Sequence, residues 1–216
     1  SPIELYSKIK DKRNTFLLES IEGGEKWAQY SIIGLGCNET IKVSGNNIEL
    51  KIDNKIKSYK SDDPLEELNK ILSKYKSPEQ EDFPRFYGGY VGFFAYESSR
   101  YSEKKIALLK SKDSKFDEHM PDIYLVKSEK LVVYDNFNNT IHAIYNSDPS
   151  KKSYEEANTK IEEIEKSIDT DSKDTSLEYK SISGKISFKS NFTKEEFITA
   201  VNKVKDYIAE GDVMQV

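Results

Sequence analysis

The sequence predicts an α+β protein in which antiparallel β-sheets carry flanking helices, and three observations predict it. Short apolar or β-branched runs bounded by turn residues recur through the first 60 residues and again through 122–145. Three other stretches carry apolar residues at helical spacing behind helix-start signatures. A polar stretch, 169–189, then separates most of the chain from one last amphipathic segment.

Residues 14–19 (NTFLLE), 31–35 (SIIGL) and 40–43 (TIKV) read as the first strands, and a hairpin follows. Its arms are 47–52 (NIELKI) and 56–59 (IKSY), and Asp53, Asn54 and Lys55 form a link whose Asp and Asn tolerate left-handed backbone angles. Asp63 caps a helix with Pro64 at its first position and Glu66 in its first turn. Leu65, Leu68, Ile71, Leu72 and Tyr75 form its expected buried stripe. Residues 85–97 (RFYGGYVGFFAYE) are dense in aromatics and broken by Gly88, Gly89 and Gly92, which suits a buried strand with a bulge or a close backbone approach. A meander of three strands, 122–126, 131–134 and 140–145, completes the sheets, with NFNN at 136–139 as a turn.

Ser153 and Glu156 have capping-box spacing, and Ala157, Ile161, Ile164 and Ile168 continue the segment as an amphipathic helix. The expected organisation is a first domain over 1–168, a linker over 169–189, and the opening of a second domain over 190–216. Thr193 and Glu196 form a second capping box, and Phe197, Ile198, Val201, Val204, Tyr207 and Ile208 line a helix ended by Gly211. Residues 213–216 (VMQV) have strand character. One apolar helix and half a strand cannot bury themselves, so the expectation is that most of the second domain is absent.

Composition narrows the function classes. The 216 residues carry 33 Lys and Arg against 38 Asp and Glu, a net charge of -5, so the basic excess that phosphate backbones attract is missing and nucleic acid is not expected as a partner. The 14 Tyr and 10 Phe supply the bulky apolar surface a disordered chain lacks. The single cysteine, Cys37, cannot form an internal disulfide, and no apolar run is long enough for a membrane span, so a cytoplasmic, membrane-free protein is expected.

Catalytic signatures are scarce. His119 and His142 are the only histidines and lie in no metal-ligand pattern, and GGYVG at 88–92 lacks phosphate-loop spacing, so neither catalytic nor metal-binding residues are expected. Glu155, Glu156, Glu162, Glu163 and Glu165 fall on the polar side of a helix, where solvation explains them. Glu19 and Ser20 differ in kind, because they end an apolar run with a carboxylate and a hydroxyl side by side. Such a pair can bind an ammonium group and a polar atom of a small ligand, or simply close a strand-end turn; physical chemistry alone favours the turn.

A resemblance alters that balance. LLES at 17–20, followed by EGGEKWAQYSIIG at 22–34, resembles the amino-terminal region of anthranilate synthase component I. FYGGYVGFFAYESSRY at 86–101 is similar to the family's GGxVGYxxYD/E segment with its downstream Arg, here Arg100. MPDIYLVKSEKLVVYDNFNNTIHAI at 120–144 resembles its PD…VVFDH stretch, and residues 190–216 resemble the first helix and strand of its chorismate-binding domain. The resemblance implies a parent enzyme that converts chorismate to anthranilate and pyruvate with magnesium, using ammonia that a glutamine amidotransferase subunit releases from glutamine. The metal and acid/base residues of that family fall in a later part with no counterpart here, so this chain alone is expected to be inactive and to hold no cofactor.

The resemblance also implies a feedback site for L-tryptophan around LLES, carrying over Leu18, Glu19 and Ser20, with Tyr30 and Ser31 lining the same region and Glu19 as partner of the ligand ammonium. Two positions depart from the family: Gln29 stands where Arg is usual before Tyr-Ser, and Phe93 stands where Tyr is frequent after Gly92. Two rival readings are the aminodeoxychorismate synthase large subunit, against which LLES argues, and a non-catalytic ligand-binding module. Product identification separates the first, and the reading frame beyond Val216 the second.

Overall fold

A computed structural model describes residues 1–9, 14–19, 29–78, 83–107, 120–147, 154–169 and 187–215. The chain divides into two compact units, Ser1–Thr175 and Ser176–Val216.

The first unit is built on two antiparallel sheets. One has four strands in the order β1 (Phe16–Leu18), β2 (Tyr30–Leu35), β8 (Lys130–Asp135), β9 (Thr140–Tyr145). The other has five, in the order β5 (Lys55–Lys60), β4 (Asn47–Ile52), β3 (Glu39–Ser44), β7 (Ile123–Ser128), β6 (Gly89–Phe94). The chain lays down β1 and β2, leaves to build the whole five-stranded sheet, and returns to set β8 against β2 in a register running from Tyr30↔Asp135 to Leu35↔Lys130.

The expected meander over 122–145 is therefore corrected: β7 belongs to the second sheet and β8–β9 to the first. Only Glu129 separates β7 from β8, which is too short for the two-residue turn of a hairpin, so the chain runs on into the other sheet. The hairpin over 47–60 forms as expected, with Asp53 at φ 53° in its turn.

Both faces of the four-stranded sheet and one face of the five-stranded sheet have apolar partners. Helix α1 (Pro2–Ile9) and helix α4 (Tyr154–Asp169) cover one face of the four-stranded sheet, where Leu5, Ile9 and Ile164 meet Ile33, Leu35 and Val132. On its opposite face Leu131, Val133 and Ile144 pack with Phe16, Tyr30, Ile32, Phe86 and Tyr87. The five-stranded sheet packs Ile41, Val43, Ile48, Ile123 and Leu125 against Leu68 and Ile71 of α2 (Pro64–Leu72).

Helix α2 starts as its sequence directs: the Asp63 carboxylate accepts the Glu66 N–H at 3.0 Å. Its expected stripe is narrower than read, because Leu72 and Tyr75 are 37% and 46% exposed and only Leu68 and Ile71 are deeply buried. Tyr75 lies beyond the last helical residue and meets the sheet through its hydroxyl and ring, at Glu39 and Lys127, rather than as part of the helical stripe. Helix α1 was not anticipated; Pro2 opens it and Leu5 and Ile9, four apart, make its buried edge.

The aromatic segment departs from its reading as a buried strand. Strand β6 is the outer strand of its sheet, Phe94 is 56% exposed, and a 3-10 turn over Tyr96–Tyr101 and short helix α3 (Lys104–Ala107) follow. The close approach at Gly92 is present, since a Cβ there would lie 1.9 Å from the Tyr124 carbonyl oxygen.

In the second unit, helix α5 (Lys194–Glu210) carries the expected capping box. The Thr193 Oγ accepts the Glu196 N–H at 3.2 Å while the Glu196 carboxylate accepts the Thr193 N–H at 2.8 Å. Gly211, at φ 82°, ends the helix. Residues 213–215 are not a strand, and Phe197, Ile198, Val201, Tyr207 and Ile208 are exposed. Ser153, the expected cap of α4, lies outside the described residues, as does most of 169–189.

Candidate functional site

The sequence-derived site begins where β1 ends. Pairing with β2 runs from Phe16↔Gly34 to Leu18↔Ile32, which brings Leu18 and Glu19 beside the start of β2, where Tyr30 and Ser31 lie. Leu18 is 47% exposed and Glu19 is exposed. Ser20 falls outside the described residues.

Tyr30 and Ser31, read together from the sequence, are parted by the strand pleat. Tyr30 joins the face that holds Leu131, Val133 and Ile144, together with Phe86 and Tyr87. Ser31 shares the helix-covered face of Ile33 and is fully buried, and its Oγ accepts a hydrogen bond from Asn136 Nδ2 at 3.2 Å. Its hydroxyl is thus engaged in holding the adjacent turn. The segment bearing Phe86 and Tyr87 is pinned in turn, for Asn146 Nδ2 donates to the Tyr87 carbonyl at 2.6 Å and the Tyr87 hydroxyl donates to the Pro78 carbonyl at 2.8 Å.

Beside Tyr30 sits Asp135, 3% exposed, whose carboxylate accepts from the N–H groups of Phe137 at 2.9 Å and Asn138 at 3.0 Å, from Asn138 Nδ2 at 2.9 Å and from Gln29 Nε2 at 3.2 Å. Burial pushes this carboxyl up, but the hydrogen bonds from Asn138, Phe137 and Gln29 outweigh it and hold the group below its ordinary value. Gln29, noted as a departure from the family pattern, thus faces a buried carboxylate.

The other segments that carry the resemblance tie the fold together. Asp122 accepts the Gly45 N–H at 2.8 Å, the Tyr101 hydroxyl lies 2.5 Å from its carboxylate, and Arg100 pairs with it at 3.3 Å. The Arg of the aromatic segment and the Asp of the Pro-Asp pair therefore meet each other, joining the 3-10 turn to the β3–β4 turn. Burial, then the Asp122 hydrogen bond, pushes the Tyr101 phenol up, so it stays a donor.

Sequence reasoning missed a second network around Glu39, which is 8% exposed. Tyr75 donates to it at 3.2 Å, Tyr90 donates to it as well, and Lys127 Nζ lies 3.5 Å away. Lys127 also reaches Glu129 at 3.1 Å and lies 3.9 Å from the centre of the Tyr75 ring. Burial would lower Lys127, but Glu129 and Glu39 outweigh it and its value is raised, so the ammonium persists. A lone Glu before the apolar run TIKV was the one available signal, and the strand had been read from Thr40 onward.

No group of three or more His, Cys, Asp or Glu among the described residues is placed to hold a metal ion. His142 has Thr140 Oγ1 at 3.4 Å, and His119 lies outside the described residues. An open recess of about 310 Å³ is lined by Ile9, Leu35, Lys130, Lys160, Glu163 and Ser167, on the helix-covered face of the sheet rather than the Tyr30 face. No helix among the described residues is long and apolar enough to cross a membrane.

Comparison with known proteins gives a consistent result. Residues 13–216 match the family described as chorismate binding enzyme. The chain is 37% identical to anthranilate synthase component 1 of Pseudomonas aeruginosa, 35% identical to that of Neisseria meningitidis serogroup B and 33% identical to that of Aquifex aeolicus. Each match covers 100% of this chain and 44% of the relative, so the chain spans under half the length of these relatives. Among solved structures, anthranilate synthase component I from Streptococcus pneumoniae superposes with a TM-score of 0.61 at 22% identity, over 98% of this chain and 44% of that one, a likeness of fold.

Proposed function

The chain belongs to the chorismate-binding enzyme family, and from that membership we propose that it forms the amino-terminal, tryptophan-sensing portion of an anthranilate synthase component I. In this reading the whole protein works in the cytoplasm as a lyase of tryptophan biosynthesis, converting chorismate and ammonia to anthranilate and pyruvate with magnesium. A glutamine amidotransferase subunit supplies the ammonia. The residues described here take no step of that reaction, since catalysis needs acid/base groups and a metal positioned against the substrate, and this portion by itself turns nothing over.

The observation that carries the reading is the full-length alignment of this chain with component 1 proteins at 33–37% identity. The structure supports the sensing role by setting Leu18 and Glu19 at a strand end beside Tyr30. Glu19 faces the ammonium of L-tryptophan, Ser20 its polar backbone, and Leu18 and Tyr30 its apolar side; Ser31 supports Tyr30 from behind. Bound tryptophan inhibits by preferring one of two arrangements of the whole enzyme.

The test uses the full-length gene product with chorismate, magnesium and ammonia, following anthranilate fluorescence with and without L-tryptophan. Anthranilate formation that tryptophan suppresses in the wild type and no longer suppresses in Ser20→Arg is the expected result. Aminodeoxychorismate as the product would reassign the enzyme, and unchanged inhibition of Ser20→Arg would remove the site from this strand end.

A further inference from the structure

Three contacts from one turn converge on the start of β2. The Asn136 N–H donates to the Gln29 carbonyl at 2.7 Å, the Asp135 carboxylate accepts from the Gln29 side chain at 3.2 Å, and Asn136 Nδ2 donates to Ser31 Oγ at 3.2 Å. They straddle Tyr30, which is itself paired with Asp135 across the sheet. The bonds from Phe137 and Asn138 to Asp135 are what any Asp closing its own turn makes. The contacts to residues 29 and 31 go beyond that need, since the turn closes without them.

We propose that the Asp135–Asn136 turn is a clamp that positions Tyr30 for the ligand site, and that residue 29 sets its strength. The role rests on the reading of Leu18, Glu19 and Tyr30 as a tryptophan site. The chemistry at position 29 is specific: a buried carboxylate accepts from the residue-29 side chain there. Gln29 offers a neutral amide, whereas a guanidinium would bring a positive charge to the same oxygen, giving a stronger pair. The chain therefore holds this strand less firmly than its geometry allows. Methionine at the same position has similar length and no donor, so it removes the Asp135 contact and keeps the packing.

Gln29→Met, Gln29→Arg, Asp135→Asn and Gln29→Arg combined with Asp135→Asn, each in the full chain, test this by amide hydrogen exchange at Tyr30 and Ser31. Gln29→Met is expected to speed that exchange about fivefold and Gln29→Arg to slow it by a similar factor, with Asn138 exchange unchanged in both. The gain from Gln29→Arg is expected to vanish when Asp135 is Asn, because the pair then lacks its anion. Exchange at Tyr30 and Ser31 indifferent to residue 29, or an Arg effect that survives Asp135→Asn, overturns the clamp.

Calorimetric titration of the same set with L-tryptophan separates the two proposals. A dissociation constant about fivefold weaker in Gln29→Met supports positioning, and one unchanged in both Gln29 variants overturns it while the tryptophan site stands. A wild type that binds no tryptophan but shows the exchange coupling supports the clamp and overturns the ligand assignment.

Discussion

Burial pushes the Asp135 carboxyl up while its hydrogen bonds pull it further down, and the sign of that balance fixes a pH dependence. Its folded value lies below the unfolded one, so its contribution to stability is fully present above the ordinary Asp value of about 3.9 and is lost as pH falls through the depressed folded value. Denaturant midpoints measured across this range are expected to show Asp135→Asn less stable than wild type at pH 6, with the gap closing in acid. Cys37 is 2% exposed, and burial pushes its thiol up. It is expected to resist a thiol-titrating reagent in buffer and to react in full once the chain is unfolded; rapid labelling of the native protein would contradict the packing seen around it. At this scale the sequence was legible only where chemistry is local. Glu19 and Ser20 stand out at the end of an apolar run and Leu18 enters only through the resemblance, whereas the strand pleat turns Ser31 away from Tyr30. The Glu39 network stayed invisible because its partners Tyr75, Tyr90 and Lys127 arrive from 36 or more residues away.

Helix starts were the most legible elements, since a cap and its first turn are neighbours in sequence. Asp63→Ala is expected to cost about 1 kcal/mol of stability, read from a denaturant titration, because it leaves the Glu66 N–H without its acceptor. Thr193→Ala removes the side-chain half of a capping box and keeps the backbone N–H that the Glu196 carboxylate accepts, and faster amide exchange at Glu196 and Phe197, with the end of α5 near Gly211 unaffected, is the expected signature. Strand placement was harder. The run GYVGFF has the composition of a central strand, yet β6 lies at an edge, because hydrophobicity reports what a strand could bury and not how many neighbours it has. The opposite edge, β5, carries Lys55, Lys57 and Lys60, the charge pattern that discourages further pairing. In helix α1 the charged opening of the chain masks the spacing of Leu5 and Ile9.

Across the whole first unit, the α+β class and its antiparallel sheets could be read from strand and helix signatures, whereas the nesting of one sheet inside the other could not. The runs read from sequence leave residues 127–130 between them, room enough for a turn, whereas the strands extend to Ser128 and from Lys130 and leave Glu129 alone between them. Two short crossings, residues 36–38 and Glu129, join the sheets, and Asn146 donates its N–H to the Glu129 carbonyl at 2.8 Å to brace the second. Leu68→Ala, a cavity beneath the five-stranded sheet, is expected to cost about 2–5 kcal/mol and to lower exchange protection in β8 as well as in β3. Loss confined to β3 would mean that the two sheets open independently. The same nesting puts a clock on assembly. Gln29 and Asp135 are 106 residues apart, so at about 5–20 residues per second of synthesis β2 emerges roughly 5–20 s before β8 exists to receive it. During that interval Ile32, Ile33 and Leu35 have only β1 and α1 for company, and β2 depends on being sheltered while the ribosome catches up.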